Sequence, residues 1–521
     1  MTASEAMNPS SANRMVTLAM TTPDRSRLHG PQLIVYADRF GGTLHGLGQL
    51  MSDRFGGVFG GVHVLPFYTH FDGADAGFDP VDHTKVDQRL GSWDDIASLS
   101  ANMVVVADLI VNHMSVASHQ FRDVQANGDA SPWRRMFLTM GDVFPGRASE
   151  EDLARIYRPR PGLPFTIMPL AGQPRLVWTT FTPAQVDLDI RQPLTWSYLT
   201  GIIDHLTASG VSVIRLDAIG YAGKCPGTNC FMTSETLDFV GRLKDYCHQR
   251  GAQVLLEIHG HFSQQVEVAP SVDLVYDFAL PPLVLHAIFA SDPGPLERWL
   301  KVRPENAVTV LDTHDGIGVI DAGPNVLEPD EPGLLDGAQI ANLVRTIYSN
   351  APSSQLATGA AASNLDLYQV NCTFFDALGR DEGRYLLARA LQLFVPGIPQ
   401  VYYMGLLAGV NDVALFEQTR VGRDINRHRY TLEEIDGRLS APVVRAQMQL
   451  LSLRSRHPGF TGTFTHSSSY RSIVITWRKD EHEICLDADL ARGSFSIRSS
   501  SGGERWTCSV EELLSGSFDA V

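Results

Sequence analysis

The sequence contains few cysteines and no long apolar segment. Its 521 residues include six cysteines, and no further Cys or His pair stands near Cys225 and Cys230. A disulfide framework or a four-ligand zinc site is therefore not indicated, and reduced thiols are expected. No apolar run approaches the roughly 18 residues that a membrane span requires. These absences favour a chain that does not enter a membrane, and we expect a cytoplasmic location.

Basic residues are also scarce. Lysine and arginine number 42 against 58 aspartates and glutamates, which gives a formal net charge of -16. Nucleic acid and anionic membranes attract basic surfaces, so neither is an expected partner. Residues 1–30 lack the continuous apolar core of a signal peptide, and we expect a disordered leader there. The overall composition, 44% hydrophobic and 19% charged, is typical of a globular chain with a large core.

Short apolar runs that end on charged residues organise the chain. The run Val211–Ile219 has strand character, and Arg215 and Asp217 lie two residues apart on one of its faces. Buried charges need partners or a function, and this pair alone could be a structural ion pair. Two later runs end in the same way, the first with Glu257 and His259, the second with His314 and Asp315. Strands that each end on an acid are typical of the active-site face of a (β/α)8 barrel.

The spacing of these runs predicts an α/β protein with a TIM barrel. The eight predicted strands are Gln32–Asp38, Gly61–Phe67, Met103–His113, Val211–Ile219, Val254–His259, Leu274–Leu280, Ala307–Leu311 and Gly397–Met404. We assign residues 31–112, 192–315 and 380–459 to the barrel. The two intervening segments exceed ordinary loop lengths, so 113–191 and 316–379 are predicted to be inserted subdomains B and B′. Alternating runs predict a small antiparallel β domain over 460–521.

Four motifs carry a family resemblance. DLIVNH, IRLDAIG, LEIH and LDTHD begin at Asp108, Ile214, Leu256 and Leu311, in that order on the predicted strands. They resemble the four motifs of glycoside hydrolase family 13, the α-amylase superfamily. The segments RLGSWDD, IYRPRPGLPF and GAAASNLDLYQVN are similar to the phosphorylases of this family that act on sucrose. The resemblance extends from about Leu33 to Leu451.

The resemblance implies roles for three acids. Asp217 would be the nucleophile, Glu257 the general acid/base and Asp315 the stabiliser of the transition state. A retaining mechanism needs two carboxyls about 5 to 5.5 Å apart, one attacking the anomeric carbon and one protonating the leaving oxygen. Arg215 is expected to keep Asp217 ionised, and a less polar setting to keep Glu257 protonated. The residues that would bind the glucosyl unit are Asp75, Phe78, His113, Phe181, His314 and Arg423.

The acceptor side must hold a phosphate dianion near carboxylates that repel it, which requires fixed positive charge. Arg160, on a proline-rich loop, is the predicted phosphate ligand, with help from Tyr368 and His259. The resemblance gives Asp366 and Gln369 to the fructosyl group. Tyr157 and Pro159 would shape the same side.

The implied activity is a retaining phosphorolysis of sucrose that yields α-D-glucose 1-phosphate and D-fructose through a covalent glucosyl-enzyme. Thr166–Leu170 and Gly260–Phe262 depart from the family pattern near the acceptor site, so a phosphorylase of sucrose 6-phosphate or glucosylglycerol is the alternative. An α-glucoside hydrolase or a non-catalytic barrel is less favoured because all three acids are present. The expected partners are a sugar and inorganic phosphate. No metal or cofactor is expected, and a homodimer is left open.

Overall fold

A closed barrel of eight parallel strands forms the centre of the molecule. The computed structural model describes residues 30–73, 75–358 and 367–518. The strands are β1 (Gln32–Val35), β2 (Gly61–Val64), β3 (Tyr68–Thr69), β4 (Asp82–Val86), β5 (Val104–Ile110), β6 (His113–Ser115), β7 (Phe165–Leu170), β8 (Gln173–Trp178), β9 (Gln185–Asp187), β10 (Val213–Asp217), β11 (Gln253–Leu256), β12 (Leu274–Asp277), β13 (Ala307–Thr309), β14 (Ile317–Gly318), β15 (Gln369–Val370), β16 (Ile398–Tyr402), β17 (Thr463–Ser469), β18 (Ser472–Lys479), β19 (His482–Asp489), β20 (Ser494–Ser501) and β21 (Glu504–Ser509). Around the barrel the order is β1, β16, β13, β12, β11, β10, β5 and β2, so the predicted TIM barrel is confirmed.

The barrel strands are shorter than the sequence predicts. Strands β5 and β11 end at Ile110 and Leu256, before the polar residues that the predictions included, and β12 ends at Asp277, three residues before its predicted end. The predictions were wrong at these ends because the chain leaves the ladder there and turns its polar groups toward the barrel mouth. His113 instead starts β6, which pairs antiparallel with β9 outside the barrel.

Helices surround the barrel, and others lie in the two inserted segments and after the C-terminal sheet. They are α1 (Leu44–Asp53), α2 (Trp93–Ser100), α3 (His119–Asn127), α4 (Met140–Val143), α5 (Glu150–Arg155), α6 (Pro193–Ala208), α7 (Ser234–His248), α8 (Phe262–Val268), α9 (Leu280–Ala290), α10 (Gly294–Val302), α11 (Gly337–Asn350), α12 (Ser353–Thr358), α13 (Phe374–Ala377), α14 (Glu382–Phe394), α15 (Tyr403–Leu406), α16 (Val413–Thr419), α17 (Leu432–Leu439), α18 (Pro442–Arg456) and α19 (Val510–Ser515). In α14 the Asp381 carboxylate caps the helix by accepting from the Arg384 N–H. Arg389 of α14 is buried 3.3 Å from Asp312, which anchors the chain just after β13.

Two segments interrupt the barrel where long insertions are predicted. The first contains α3, the hairpin β7–β8 and the β6–β9 pair, and it encloses its own apolar cluster around Phe121, Phe137 and Val177. The second contains α11, α12 and the short β14–β15 sheet. The bounds 113–191 and 316–379 stay predictions. The predicted leader lies outside the described residues except for Gly30.

A separate antiparallel sheet follows the barrel. It runs β17, β18, β19, β20, β21 in sequence order, which confirms the predicted C-terminal β domain. Trp477 of β18 is buried, and its indole N–H donates to the Phe394 carbonyl at 2.6 Å. This contact fixes the sheet to the end of α14. Over the described ranges, no helix combines the length and apolarity needed to span a membrane.

Candidate active site

A pocket opens at the C-terminal ends of the barrel strands, as expected for the active-site face of this fold. The three predicted acids, Asp217, Glu257 and Asp315, all line it. Ten further predicted site residues do so as well: Asp75, Phe78, His113, Pro159, Arg160, Phe181, His259, His314, Tyr368 and Arg423. Residues that lie far apart in the sequence are thus brought together at the ends of different strands.

Arg215 connects the two acids at the base of the pocket. Its Nη1 lies 2.9 Å from Asp217 Oδ1, and its Nη2 lies 2.7 Å from Glu257 Oε1. Nη1 also contacts Asp108, so one guanidinium serves three carboxylates. Glu257 Oε2 accepts from the N–H of Ala218 at 2.8 Å, where the backbone is left-handed with φ +53°. The nucleophile candidate and the acid candidate are therefore fixed side by side.

Opposing electrostatic effects act on the Asp217 carboxyl. Burial, with the Glu257 carboxylate next, raises the pKa of Asp217 well above its usual range, although Arg215 opposes both effects. Arg215 shares its single charge among three acids, and its expected role of keeping Asp217 ionised stays a prediction. Arg215 is therefore the contact that opposes protonation of Asp217.

Asp108 supports Arg215 from below. Its carboxylate lies 3.0 Å from His63 Nε2, and its carbonyl accepts from the Tyr68 hydroxyl at 2.7 Å. Burial alone would raise its pKa, but His63 and Arg215 outweigh burial and lower the pKa to about 2. Asp108 therefore stays ionised. Asp108 begins the motif DLIVNH, but its role could not be predicted from the sequence.

Asp315 is surrounded by positive charge. Arg423 Nη1 lies 2.8 Å from its Oδ1, and His314 Nε2 lies 3.6 Å from the same atom. Burial opposes ionisation, but the positive charge of Arg423 outweighs it and holds the pKa of Asp315 far below its usual range. Arg423 is also 3.7 Å from Asp75. Asp315 is thus a permanent carboxylate in the pocket.

Two histidines form part of the pocket wall. The His314 ring stacks on Phe78 with centroids 4.7 Å apart, and the His113 ring packs against Phe181 at 5.2 Å. His113 Nε2 lies 2.8 Å from the Phe78 carbonyl and 3.0 Å from Gln185 Nε2. Burial lowers the pKa of both histidines, so both are neutral at neutral pH. Gln185 lines the pocket, and no sequence signal pointed to it.

Arg160 also lines the pocket. Its Nη1 donates to the Pro159 carbonyl at 2.7 Å, and its guanidinium lies 5.9 Å from the Phe181 ring centre. Within the described residues it forms no ion pair with a carboxylate. Burial and the nearby Arg423 lower its pKa from the ordinary value, yet an arginine keeps its charge. The Arg160 guanidinium therefore brings a positive charge to the pocket, and no described carboxylate neutralises it.

Four predicted residues stand outside the pocket lining or outside the described chain. Arg215 lies beneath the acids rather than at the surface. Tyr157 is buried behind the lining, with its ring 5.2 Å from Phe231. Gln369 is buried in β15, where its Nε2 donates to Asn371 at 3.3 Å. Asp366 falls in 359–366, outside the described residues.

Comparison with known proteins was made for sequence and for structure. The chain is 54% identical to a sucrose phosphorylase of Bifidobacterium adolescentis, over 89% of this chain and 92% of that protein. It is 50% identical to a sucrose phosphorylase of Agrobacterium vitis, over 90% and 96%. The chain belongs to the sucrose phosphorylase family. Its members belong to glycoside hydrolase family 13, and residues 42–255 match the α-amylase catalytic domain.

The structural comparison agrees with membership of the sucrose phosphorylase family. The fold matches the crystal structure of a sucrose 6F-phosphate phosphorylase from Thermoanaerobacter thermosaccharolyticum with a TM-score of 0.86 and 35% identity. The match covers 93% of this chain and 98% of that one. The protein is therefore a phosphorylase of the glycosyltransferase type, built on the family 13 barrel.

Some pocket residues carried no signal in the sequence alone. Tyr221 and Phe231 line the pocket, with rings 4.8 Å apart, and neither lies in one of the four motifs. Asp321 lies in the segment that follows LDTHD and contacts His259. No sequence signal pointed to it. Lys224 is buried 2.6 Å from Asp187 and supports the loop that carries these aromatics. Such support residues are defined by contacts, which sequence spacing does not reveal.

Among the described residues, two groups of side chains bring three possible metal-ligand atoms close together. One is Glu257, His259 and Asp315, whose ligand atoms lie within 4.8 Å of one another. Arg215 and Arg423 already pair with its two carboxylates, which leaves little negative charge for a cation. The other group, His70, Asp72 and Asp87, is bridged by Arg89, which contacts Asp72 at 2.6 Å and Asp87 at 2.8 Å.

Proposed function

We propose that the protein converts sucrose and inorganic phosphate into α-D-glucose 1-phosphate and D-fructose by double displacement. One observation carries the proposal: Asp217 and Glu257 share Arg215 at the base of a pocket, and Arg160, which has no carboxylate partner among the described residues, lines the same pocket. The printed activities of the relatives in Bifidobacterium and Agrobacterium support it. The proposed substrates are thus a neutral disaccharide and a phosphate dianion.

In the first half-reaction the Asp217 carboxylate attacks the anomeric carbon of the glucosyl unit. Glu257 donates a proton to the glycosidic oxygen as its bond to that carbon breaks, and fructose leaves. The product is a β-linked glucosyl ester of Asp217. Positive charge develops on the sugar ring during this step, and the permanent carboxylate of Asp315 suits its stabilisation.

In the second half-reaction a phosphate oxygen attacks the same carbon and the bond to Asp217 breaks. Two inversions give net retention, so the glucose 1-phosphate is the α anomer. A phosphate dianion attacks without losing a proton first, so it asks less of Glu257 than water would. The positive charge of Arg160 offsets the repulsion from the three acids, with His259 and Tyr368 beside it.

The protonation of the two acids determines the active form. Catalysis needs Asp217 ionised and Glu257 protonated, while burial favours a proton on Asp217. Donation from Arg215 to Asp217 Oδ1 favours the productive arrangement. A bell-shaped dependence of kcat/KM on pH is expected, because losing or gaining one proton from the pair stops the reaction.

Product analysis is the direct test of the activity. With sucrose and phosphate, the enzyme should release fructose and α-glucose 1-phosphate in equal amounts, and omitting phosphate should leave only slow glucose release. Free glucose as the main product at saturating phosphate would favour the α-glucoside hydrolase. A β-phosphate product would overturn the double displacement.

The acceptor is the finer part of the proposal. We expect fructose to be preferred over fructose 6-phosphate and glycerol. Fructose 6-phosphate is the alternative acceptor, because the structural relative is a sucrose 6F-phosphate phosphorylase. Reverse reactions from glucose 1-phosphate should be compared by kcat/KM for the three acceptors. If fructose 6-phosphate or glycerol wins by tenfold, about 1.4 kcal/mol of transition-state preference, the assignment of fructose is wrong.

Two further expectations belong to the proposal. A cytoplasmic location agrees with the absence of a membrane-spanning helix among the described residues, and localisation of a tagged chain in its native host would test it. The family resemblance allows a homodimer, and the oligomeric state has to be measured. Light scattering on the purified protein would give its mass in solution directly.

A further inference from the structure

A buried carboxylate lies behind the His259 ring, on the side away from the acid pair. Asp321 Oδ2 is 3.2 Å from His259 Nδ1, and its Oδ1 accepts from the Gly260 N–H at 3.2 Å. Gln265 adds a longer contact of 3.4 Å to Oδ1. The other ring nitrogen of His259, Nε2, lies 3.8 Å from Glu257 Oε1. Asp321 and Glu257 thus face opposite edges of one imidazole.

The ring is held so that it cannot rotate freely. Phe278 stacks on it with centroids 3.8 Å apart, and Tyr368 meets it edge-on at 5.5 Å. Gly318 leaves room for the carboxylate, because a Cβ there would come within 2.5 Å of Asp321 Oδ2. With its orientation fixed, the property of His259 that can still change is its protonation.

The contacts define which nitrogen carries a proton. An ionised carboxylate only accepts hydrogen bonds, so His259 Nδ1 bears the hydrogen that points to Asp321. Burial alone would lower the pKa of His259. Asp321, then Glu257 and Asp315, outweigh burial and raise the pKa above its ordinary value. Among the described residues, Tyr368 is the remaining titratable group that packs against the ring, and it stays neutral because burial raises its pKa well above the usual range.

We propose that Asp321 is a positioning residue that makes His259 a doubly protonated donor, with Nε2–H directed at the oxyanion that enters the acceptor side. The inference rests on the proposed function, because the oxyanion is the phosphate of the second half-reaction. Nε2–H donates a hydrogen bond to the phosphate and keeps its proton, so no covalent change occurs at His259. Asp321 touches no substrate and acts only through the ring.

The first test is Asp321→Asn, which keeps the volume of the side chain but removes its charge. At saturating sucrose, kcat/KM for phosphate should fall by about tenfold or more, since the donor to a charged ligand is weakened. The alkaline limb of the phosphate profile should move to lower pH, because burial then acts on His259 without Asp321. Slow sucrose hydrolysis without phosphate should change by less than about threefold.

A double variant shows whether the effect passes through His259. In a His259→Gln background, Asp321→Asn should cause no further loss of phosphate kcat/KM, because the ring it positions is gone. Additive losses would overturn the positioning role. Asp376→Asn is the matched control: Asp376 is also buried, pairs with Arg380, does not line the pocket, and should leave the pH limb in place.

Direct observation covers a variant that fails to fold. Ring-nitrogen NMR of histidine-labelled wild-type enzyme, with His259 assigned from its absence in His259→Gln, should show both nitrogens protonated when phosphate is added at neutral pH. A neutral ring in the presence of phosphate would overturn the inference. Wild-type enzyme that makes no glucose 1-phosphate would instead refute the proposed function, so the two failures are distinguishable.

Discussion

Arg215 and Glu257 are joined by a contact of 2.7 Å between Nη2 and Oε1. The general acid candidate is thereby held by the residue that also contacts the nucleophile candidate, Asp217. One guanidinium fixes the spacing of both. The proposed mechanism gives the two acids different duties, and substitutions can separate them.

Glu257→Gln should keep the contact geometry but lose proton transfer. Turnover of sucrose should fall by roughly two to four orders of magnitude, the usual worth of a general acid. α-Glucosyl fluoride needs no proton on its leaving group, and phosphate needs no general base, so phosphorolysis of that donor should be largely retained. Equal losses with sucrose and the fluoride would contradict the role of Glu257 as the acid.

Asp217→Ala should abolish turnover with both donors, because no glucosyl ester can form. The expected loss is at least about four orders of magnitude in kcat. Asp436→Ala, which removes an exposed carboxylate paired with Arg54, serves as the control and should keep full activity. Steady-state rates and mass spectrometry of the trapped ester in wild type measure the difference. Substantial phosphorolysis by Asp217→Ala would mean that another residue is the nucleophile.

Arg160→Ala should change the choice between phosphate and water. The lost contact with a charged ligand is worth roughly 1.5 to 3 kcal/mol, so the ratio of glucose 1-phosphate to glucose should drop by about one to two orders of magnitude. Formation of the glucosyl-enzyme from sucrose should be nearly unchanged. Arg160→Lys should recover part of the ratio, because a point charge lacks the two-pronged geometry.

The control for Arg160 is Arg175→Ala, which removes an exposed guanidinium from β8 of the same inserted segment. Both sugars should be measured together at one fixed phosphate concentration. A product ratio that is the same in Arg160→Ala and wild type would place the phosphate elsewhere, and His259 and Tyr368 would then be examined.

His83 should make the fold sensitive to mild acid. It is buried with Nδ1 2.9 Å from the Tyr198 hydroxyl, and burial lowers its pKa to about 3. Below about pH 6.5 the unfolded chain takes up a proton that the folded chain does not, so the free energy of unfolding falls by about 1.4 kcal/mol per pH unit. The loss continues as the pH falls toward the folded-state pKa.

The measurement is urea unfolding of wild type and His83→Gln at pH 6.5 and pH 5. Wild type should lose about 1 to 2 kcal/mol more than the variant over this interval. His119→Gln removes an exposed imidazole and should behave as wild type does. The same pH dependence in His83→Gln and wild type would refute the assignment.

The barrel and its acids could be predicted because their signals are local. Asp217 follows an apolar run directly, and the register of β10 beside β5 and β11 then determines its neighbours. Asp321 and Gln185 could not be found in this way, because each matters through a contact with a distant histidine. Asp321 is 62 positions from His259, and Gln185 is 72 positions from His113. The left-handed Ala218 was equally hidden, because alanine gives no sign of such backbone.

Strand ends were overestimated for a related reason. Apolar and polar residues of the LEIH motif look continuous in the sequence, but β11 ends at Leu256 and leaves Glu257 free to reach Arg215. Periodicity records which residues are apolar and not where the hydrogen-bond ladder stops.

The two sides of the pocket are attached to the molecule differently. Asp217 is the last residue of a barrel strand, whereas Arg160, Phe231 and Tyr368 lie on segments between elements. Changes on these segments need not disturb the eight-stranded ladder that folding depends on. Such a layout lets a lineage, or a protein engineer, exchange the molecule that receives the glucosyl group while inheriting the machinery that captures it.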